Sequence, residues 1–563
     1  MSEAPQAPKS LPGWLTRRPY TVLALLCLLL WTPGVLTLPP LDRDESRFAQ
    51  ASKQMLETGD FVDIRFGAVP RYKKPAGIYW LQAAATEIAG LGHRDRIWTY
   101  RLPSLFGAVA SVWLAYWCML AFAEGEAAFL GAALLGMTLL LAAEATIATT
   151  DAVLLAAILG AQGFLLRVYT RAEKASIRLA ILGWAALGIG ILVKGLIAPA
   201  IPALTALGLS LWDREWRWLK NLRPMTGLLI MLAIAAPWAI AIALKSHGSF
   251  YEQSLGQDFA AKLQGGQEGH GFPPGYYLVL TTLCFWPSVL FLAPALGSAV
   301  LKRGEKAIRF LLVWIGTNWV VFEAVPTKLP QYILPVYPAL AVLAALWLLV
   351  PRQETKGWRR ALSTLAALQF LLGAAAFAAA LIVLPELYGE GPTWWLIALA
   401  GLGVAAALAA LIAFLRGSQR FAVAACLVAA LVFYPALTLG AAPRLDRLWV
   451  SPRAAAAVAA LSRPGDPPPA LAGYEEPSLV FLLGTQTRLT DGYGAAEAGA
   501  AQGGLAVVEE SERPAFQAHL AELEADAGEV GSLTGFDYSR GRPVRIRIYR
   551  VEAVRDTEPP PSE

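Results

Sequence analysis

Long runs of apolar residues recur from residue 20 almost to residue 440. A helix needs roughly 20 consecutive apolar residues to cross the hydrocarbon core of a bilayer, and about thirteen runs approach that length. They lie near 20–38, 101–123, 126–143, 151–168, 178–193, 195–212, 224–244, 275–298, 308–324, 332–350, 359–384, 394–415 and 420–440. The pattern predicts an α-helical membrane protein that crosses the bilayer about thirteen times.

Two further segments have apolar residues at helical spacing but are too polar to cross a bilayer. SRFAQASKQMLE, residues 46–57, brings Phe48, Met55 and Leu56 near one face. FYEQSLGQDFAAKL, residues 250–263, has a similar pattern. Both are predicted to form amphipathic helices that lie in the membrane interface.

The hydrophobic pattern changes after residue 445. Pro464, Gly465 and the three prolines at 467–469 form a linker, and SLVFLLG, GLAVVEES and PVRIRIYRV then have the composition of strands. RPAFQAHLAELEAD has the pattern of an intervening helix. We therefore predict a transmembrane domain at 1–444 and a small soluble α/β domain at 445–563 that ends in a disordered tail.

Composition agrees with this division. The chain has 563 residues, of which 56% are hydrophobic and only 16% charged, so it is too apolar for an ordinary soluble protein. The net charge of +5 lies mostly in short loops, and no DNA- or RNA-binding motif is present, so no nucleic-acid partner is predicted. The basic loops at 167–178, 212–224, 301–309, 351–360 and 416–420 alternate onto one side together with the N-terminus. That side is predicted to be cytoplasmic, which places the C-terminal domain on the opposite, outer side of the membrane.

Two loops on the predicted outer side are unexpectedly basic. Residues 39–77 and 245–274 contain Arg43, Arg47, Lys53, Arg65, Arg71, Lys73, Lys74, Lys245 and Lys262. Long translocated loops tolerate such charge, so a solvated surface is one explanation. The other is that these cations bind an anion at the membrane surface, such as a lipid phosphate or pyrophosphate.

Three acidic residues follow the first apolar run, in LDRDESRFA. Asp42 and Asp44 form a D-x-D pattern and Glu45 follows directly. They either begin the helix at 46–57, because acids favour helix N-termini, or line a functional cavity. Asp151 begins another apolar run and has the same two interpretations, an N-cap or a carboxylate that faces the same vestibule.

Basic and hydroxyl groups also occur at the outer ends of other runs. Lys194 precedes Gly195 in a turn between two runs, where it either snorkels to the interface or meets a ligand. Lys328 and Tyr332 are four residues apart and either anchor the interface or jointly hold a phosphate.

A metal site has weaker support. Glu268 and His270 lie in the glycine-rich stretch GGQEGHGFPPGYYL and have ligand types suited to a divalent metal, whereas a hydrogen-bonded structural histidine is the alternative. The sequence requires no cofactor.

The segment DRDESRFAQASKQMLETGDFVDIRFGAVPRYKKPAGIYWLQ resembles the first external loop of the lipid-linked-sugar glycosyltransferases that include aminoarabinose transferase. The resemblance continues through TTD, VKG, HGFPPGYY and TKLPQYILPVYPAL and covers residues 20 to 345. It implies a membrane transferase of the GT-C class, related more distantly to the protein O-mannosyltransferases.

The resemblance also implies roles for individual residues. Asp44 matches the family's catalytic carboxylate, with Glu45 beside it, and Asp151 assists from the opposite wall. Lys74 matches a lysine that contacts the donor phosphate, but Lys73 stands where aminoarabinose transferases have a glutamate implicated in a metal site. The expected lipid-phosphate cradle consists of Arg47, Lys73, Lys74, Lys194, Lys328 and Tyr332.

The leading functional hypothesis that the resemblance implies is a glycosyltransferase of the bacterial inner membrane. It would move a sugar from a polyprenyl phosphate to lipid A, the LPS core or a related acceptor on the periplasmic side, where the C-terminal domain is also expected. Protein O-glycosylation is the alternative within the same class. A lipid-linked-sugar flippase is the alternative outside it, although a transporter should carry its charges near the bilayer midplane. The expected partners are the lipid-linked donor, a lipid or glycan acceptor and membrane lipids, and the expected state is a monomer.

Overall fold

A computed structural model describes residues 17–259, 271–350 and 357–554. Helices dominate the first 440 residues. They are α1 (Pro19–Thr37), α2 (Asp44–Thr58), α3 (Gly77–Ala89), α4 (Ile97–Met119), α5 (Gly125–Gly136), α6 (Leu139–Ala145), α7 (Asp151–Arg171), α8 (Ile177–Lys194), α9 (Ile197–Asp213), α10 (Pro224–Lys245), α11 (Tyr276–Cys284), α12 (Leu292–Leu301), α13 (Lys306–Ala324), α14 (Tyr337–Leu348), α15 (Trp358–Tyr388), α16 (Trp394–Leu415) and α17 (Gln419–Pro435).

The predicted class, a polytopic helical membrane protein, is confirmed. In the described part of the chain, 10 helices are long and apolar enough to cross a membrane, or 12 if each of two bent helix pairs is one span. The remaining predicted span corresponds to α9, which has 17 residues and would be only about 25 Å long. That length is near the lower limit for a crossing helix.

The breaks of both bent pairs are buried, and their irregular backbone finds protein partners. α5 and α6 are bent by 67°, and α11 and the segment Ser288–Leu301 by 115°. The hydroxyl of Tyr434 donates to the carbonyls of Met137 (2.8 Å) and Trp286 (3.1 Å), one at each break. Irregular backbone is tolerated at membrane depth only where protein or water satisfies it. Tyr434 therefore holds the two breaks together.

A compact layer covers one end of the helix bundle, which we call the domain face. It contains α2, a two-stranded antiparallel hairpin of β1 (Arg65–Phe66) and β2 (Val69–Pro70), and α3. α2 confirms the amphipathic helix predicted at 46–57. In the second predicted segment, a helical turn at Ser249–Tyr251 leads into a π-helix at Glu252–Phe259, and residues 260–263 lie outside the described ranges.

The C-terminal part folds as a small α/β domain. Its helices are α18 (Val450–Leu461), α19 (Pro477–Leu483), α20 (Gly492–Gln502) and α21 (Arg513–Glu522), and its strands are β3 (Ala470–Ala472), β4 (Arg488–Thr490), β5 (Gly504–Glu509), β6 (Ala527–Asp537) and β7 (Arg542–Val551). The sheet order is β4-β3-β5-β7-β6; β3 pairs in parallel with β4 and β5, and β7 pairs antiparallel with β5 and β6.

One predicted strand of this domain is wrong. SLVFLLG, residues 478–484, forms α19, which begins at Pro477 and ends before Gly484. Proline is favoured at the first position of a helix and glycine just after its end. A short apolar run does not by itself distinguish a strand from a buried helix, and here burial against α2 and α18 covers the run on more than one side.

The α/β domain docks directly on the domain face. Phe481 of α19 is fully buried in one cluster with Ala49 of α2, Tyr100 of α4 and Ala148. Its ring meets that of Tyr100 edge-on at 5.5 Å, and the amide of Gln50 donates to Thr485 Oγ1 over 2.6 Å. The domain therefore contacts the segment that carries the candidate carboxylates.

Candidate active site at the domain face

Asp44 is the first residue of α2 and its side chain is 58% exposed. Its Oδ1 lies 3.8 Å from Nη2 of Arg71, whose side chain is only 9% exposed and stacks 5.3 Å from the ring centroid of Phe48. The Asp44 carboxylate is therefore accessible from solvent, and a buried cation lies beside it. Arg71 belongs to the basic cluster noted in the sequence, but nothing in the sequence distinguishes it as the partner of Asp44.

Glu45, the next residue, lies in the opposite environment. It is buried and forms a two-pronged ion pair with Arg101, with Nε to Oε1 at 2.7 Å and Nη2 to Oε2 at 2.8 Å. Its oxygens also accept the backbone N–H groups of Leu41 and Ala148, both at 2.8 Å. All four contacts are internal, so this carboxylate holds the fold rather than facing a ligand.

Arg101 extends this network to the end of α1. Its guanidinium donates to the carbonyls of Val35, Leu38 and Pro39 over 2.7 to 3.1 Å. The last carbonyls of a helix have no partner within the helix, and Arg101 supplies one. The sequence contained one signal for this role, because Arg101 is a single arginine at the start of an apolar run. A charged side chain in a membrane is costly unless it is paired.

The segment 146–150 connects Glu45 to Asp151. The N–H of Ala148 donates a hydrogen bond to Glu45, and the hydroxyl of Ser104 donates one to the carbonyl of Thr149 over 3.1 Å. Asp151 follows at once as the first residue of α7 and is buried. The positions of α2 and Asp151 are therefore coupled through a short, hydrogen-bonded stretch.

The structure brings three candidate residues close together: Asp151, Lys194 and Tyr332. Lys194 and Tyr332 belong to the expected phosphate cradle. Lys194 Nζ lies 2.5 Å from Asp151 Oδ1, with side chains 12% and 8% exposed. The same ammonium is 5.5 Å from the ring centroid of Tyr332. Lys194 ends α8, and Gly195 follows with φ +73° and ψ −150°, a conformation almost restricted to glycine.

Glu144 is an acidic residue of this region that sequence reasoning missed. It is buried, accepts Thr149 Oγ1 at 2.7 Å and interacts electrostatically with Asp151, Lys194 and Asp44. The sequence contained a signal for Glu144, which is the first residue of EATIATTD and directly follows the predicted span at 126–143. Acidic residues next to membrane spans are rare and often functional.

The basic residues of the cradle differ in their surroundings. Lys73 is exposed and Arg47 half-buried, and within the described ranges neither side chain has a hydrogen-bond or ion-pair partner. Lys74 is half-buried and precedes Pro75. Lys328 is buried and donates to the carbonyls of Phe272 and Val325, both at 2.8 Å. Arg47 and Lys73 are therefore available to an anion, whereas Lys328 ties two loops together.

The suggested metal ligands Glu268 and His270 lie outside the described residues. Among the residues that the structure does describe, no three His, Cys, Asp or Glu side chains are grouped as a metal site would require.

A second acidic cluster lies where the α/β domain meets the first loop. Asp42 contacts the hydroxyl of Ser478, and its N–H donates to Tyr538 over 2.8 Å. Burial raises the pKa of Asp42 to about 6. Burial and the neighbouring Asp42 and Asp537 raise the pKa of Glu476 to about 7.

Three kinds of known protein are similar to this chain: a family model, sequence relatives and solved structures. Residues 73–240 match the family model for dolichyl-phosphate-mannose-protein mannosyltransferase. An undecaprenyl phosphate-alpha-4-amino-4-deoxy-L-arabinose arabinosyl transferase of Pseudomonas paraeruginosa is 29% identical over 327 residues, and one of Pectobacterium atrosepticum is 28% identical over 346. These matches cover 56% and 58% of this chain and 58% of each relative, so the chain aligns with little more than half of their length.

The solved structures decide the fold. The crystal structure of ArnT from Cupriavidus metallidurans bound to undecaprenyl phosphate superposes with a TM-score of 0.73 at 21% identity, covering 95% of this chain and 98% of that one. This chain has the GT-C glycosyltransferase fold. The resemblance recognised in the sequence is thereby confirmed. The superposition covers nearly all of both chains, so the α/β domain belongs to the architecture that they share.

Proposed function

We propose that the chain is a glycosyltransferase that moves a sugar from a polyprenyl phosphate donor to lipid A, the LPS core or a related envelope acceptor. The observation that carries the proposal is the exposed carboxylate of Asp44 beside buried Arg71. Arg47 follows Asp44 by three residues on α2 and Lys73 follows Arg71 by two, and neither is paired with a described residue. The names of the relatives and the GT-C fold support the same reaction class.

The cationic residues suit the leaving group. As the bond between the anomeric carbon and the phosphate oxygen breaks, the polyprenyl phosphate leaves with the electron pair and gains negative charge. Cations fixed at that position stabilise the transition state more than the ground state. We assign this task to Arg47, Lys73 and Lys74, with Lys194 and Tyr332 on the opposite wall. Lys328 contributes by holding the loop before α14 in place.

The acceptor decides what Asp44 does. A hydroxyl acceptor loses a proton as its oxygen bonds to the anomeric carbon, and Asp44 takes that proton as general base. A phosphate acceptor is already ionised, and Asp44 then orients it or stabilises positive charge on the sugar. Asp151 assists through Lys194, while Glu45 positions α2 by its pair with Arg101.

We further propose the orientation that the basic loops indicate. The domain face, with its site and α/β domain, lies in the periplasm, and the N-terminus lies in the cytoplasm. The donor would then be used outside without any nucleotide. The protein acts as a monomer in this proposal.

The deciding experiment is transfer of radiolabelled sugar from purified polyprenyl phosphate donors in detergent. We expect Asp44→Asn to lower the rate about 10²-fold or more, as loss of a general base does, and Lys74→Ala to lower it about 10-fold or more. The matched controls are Glu57→Gln and Lys302→Ala. Glu57 is an exposed acid at the other end of α2, and Lys302 is an exposed lysine in the loop after α12.

Equal rates for Asp44→Asn and Glu57→Gln would place the reaction elsewhere. The matched family model names a protein mannosyltransferase, so a polypeptide acceptor is tested in parallel with a lipid A fraction. If the label enters only polypeptide, the function is protein O-glycosylation instead. If the protein moves the lipid-linked sugar across the membrane but transfers no sugar, it is a flippase.

A further inference from the structure

A groove of about 640 Å³ opens among four helices of the membrane bundle. Its walls come from α1, α4, α7 and α8 and are almost wholly apolar. The volume lies within the range of roughly 300–1,000 Å³ that small-molecule sites occupy. Small residues, including Ala110, Gly160 and Ala186, keep it open where larger side chains would fill it.

Arginines lie beside one end of the groove, behind the residues that line it. Trp117 lines the groove, and the guanidinium of Arg167 lies 3.5 Å from the centroid of its ring. Arg171 interacts electrostatically with Arg167, as does Tyr20, which also lines the groove. Arg17 and Arg18 directly precede α1, which carries Tyr20.

Arg167 is buried, and among the described residues its charge has no anionic partner. The residue is 8% exposed and donates to the carbonyls of Gly163, at 3.1 Å, and Trp117, both of which are neutral. Over the described ranges, no carboxylate contacts Arg17, Arg18, Arg167 or Arg171. Exposed arginines can reach water by snorkelling, but a buried arginine near the end of a membrane helix is costly without a counter-ion.

This end of the groove is far from the candidate active site. Arg167 follows Asp151 by 16 residues on α7, or about 24 Å along the helix axis. The reaction takes place at the domain face in our proposal, and Arg167 lies toward the opposite leaflet. A lipid held there is therefore not the reacting donor.

We propose that an anionic diacyl phospholipid of the leaflet opposite the domain face occupies this groove. An acyl chain lies along α4, α7 and α8, and the phosphate meets Arg167 and Arg171. Arg17 and Arg18 hold the rest of the headgroup. Basic pockets between transmembrane helices are suited to such headgroups, and Trp113, whose indole donates to the Tyr20 carbonyl at 2.8 Å, marks the interface.

Native mass spectrometry of the full-length, delipidated protein tests the site. The protein is titrated with phosphatidylglycerol, with phosphatidylcholine of the same acyl chains and with polyprenyl phosphate. We expect phosphatidylglycerol to bind at least 10-fold more tightly than phosphatidylcholine. Arg171→Gln should remove most of that preference, and Ala186→Leu should weaken both phospholipids by filling the groove.

The matched controls lie on α16 and the loop after it. Arg416 is an exposed arginine of the same basic side, and Ala405 is an exposed alanine of a membrane helix. Arg416→Gln and Ala405→Leu should bind lipid as the wild type does. The proposal is overturned if the two phospholipids bind equally, if the control variants lose as much binding as the groove variants, or if Arg171→Gln and Ala186→Leu leave binding unchanged. Tighter binding of polyprenyl phosphate than phosphatidylglycerol would make the groove a second donor site instead.

Discussion

Asp44 and Glu45 are adjacent in sequence, yet their carboxylates have opposite environments. Successive helix residues are about 100° apart around the axis, so at the start of α2 one faces the site and the other the core. Asp44 is exposed beside Arg71, and Glu45 is enclosed by Arg101 and two backbone N–H groups. The D-E pair therefore divides into one exposed carboxylate, which we propose for the chemistry, and one enclosed carboxylate, which we propose for positioning α2.

The buried pair is testable by removing one charge. Glu45→Gln should reduce the free energy of unfolding by about 3–5 kcal/mol, because it leaves Arg101 buried without its anion. Denaturant unfolding in detergent measures the change. Glu87→Gln is the control, since the Glu87–Arg94 pair has the same 2.7 Å separation but side chains 50% and 26% exposed; it should cost less than about 1 kcal/mol.

The two possible outcomes assign different roles to Glu45. A large loss of stability identifies it as a positioning residue. Unchanged unfolding together with abolished sugar transfer would instead make it a catalytic carboxylate.

At the scale of elements, the turn between α8 and α9 decides where Lys194 points. Gly195 has φ +73° and ψ −150°, and a methyl group added there would meet nothing within 4 Å. A substitution would therefore act through the backbone alone. The close pair of Lys194 with Asp151 depends on this local conformation.

Gly195→Ala is thus a test of backbone geometry at the site. The strained conformation should cost about 1–3 kcal/mol, displace Lys194 and lower the transfer rate about 5-fold or more. The initial rate and the donor KM are the measurements. Gly316→Ala, in open space within helix α13, should keep the wild-type rate, and an equally active Gly195→Ala would show that the turn does not control the site.

At the scale of the whole molecule, the docked α/β domain carries a buried acidic cluster against the first loop. Asp42, Glu476 and Asp537 lie together, with Tyr474, Tyr538 and Ser478 beside Asp42. Arg540 lies 4.0 Å from Glu476 and 3.9 Å from Asp537, and Arg542 interacts electrostatically with the same two acids.

This cluster makes stability depend on pH. The pKa of Asp42 is raised to about 6 and that of Glu476 to about 7, mainly by burial. From about pH 4 to 8 the folded protein holds protons that the unfolded chain has released, so stability should fall as pH rises through this window. The loss is complete roughly one unit above the folded-state pKa of Glu476.

Glu476→Gln should remove much of this dependence. The thermal midpoint of the wild type should fall between pH 5 and pH 8 more steeply than that of Glu476→Gln. Glu552→Gln, at an exposed glutamate of the same domain, should behave as the wild type does. Parallel pH profiles for all three proteins would show that the cluster does not titrate in this window.

Much of the architecture follows from local pattern. The length and apolarity of the runs determine helices such as α7 and α15, because a bilayer accepts few other structures. The α2 helix follows from apolar spacing, and β5 and β7 from runs rich in Val and Ile. The run at 478–484 shows the limit, because burial on more than one side removes the periodicity that separates helix from strand.

The sequence by itself determined that this is a helical membrane protein with a basic first loop and acids beside it. It also supplied the residues of the candidate site, because charged groups beside a membrane stand out against apolar neighbours. Only the tertiary structure decided their partners. Arg101 joins Glu45 from 56 residues away, and Lys194 joins Asp151 from 43. Such pairings depend on how helices pack, and packing is a property of the whole bundle that no local spacing encodes.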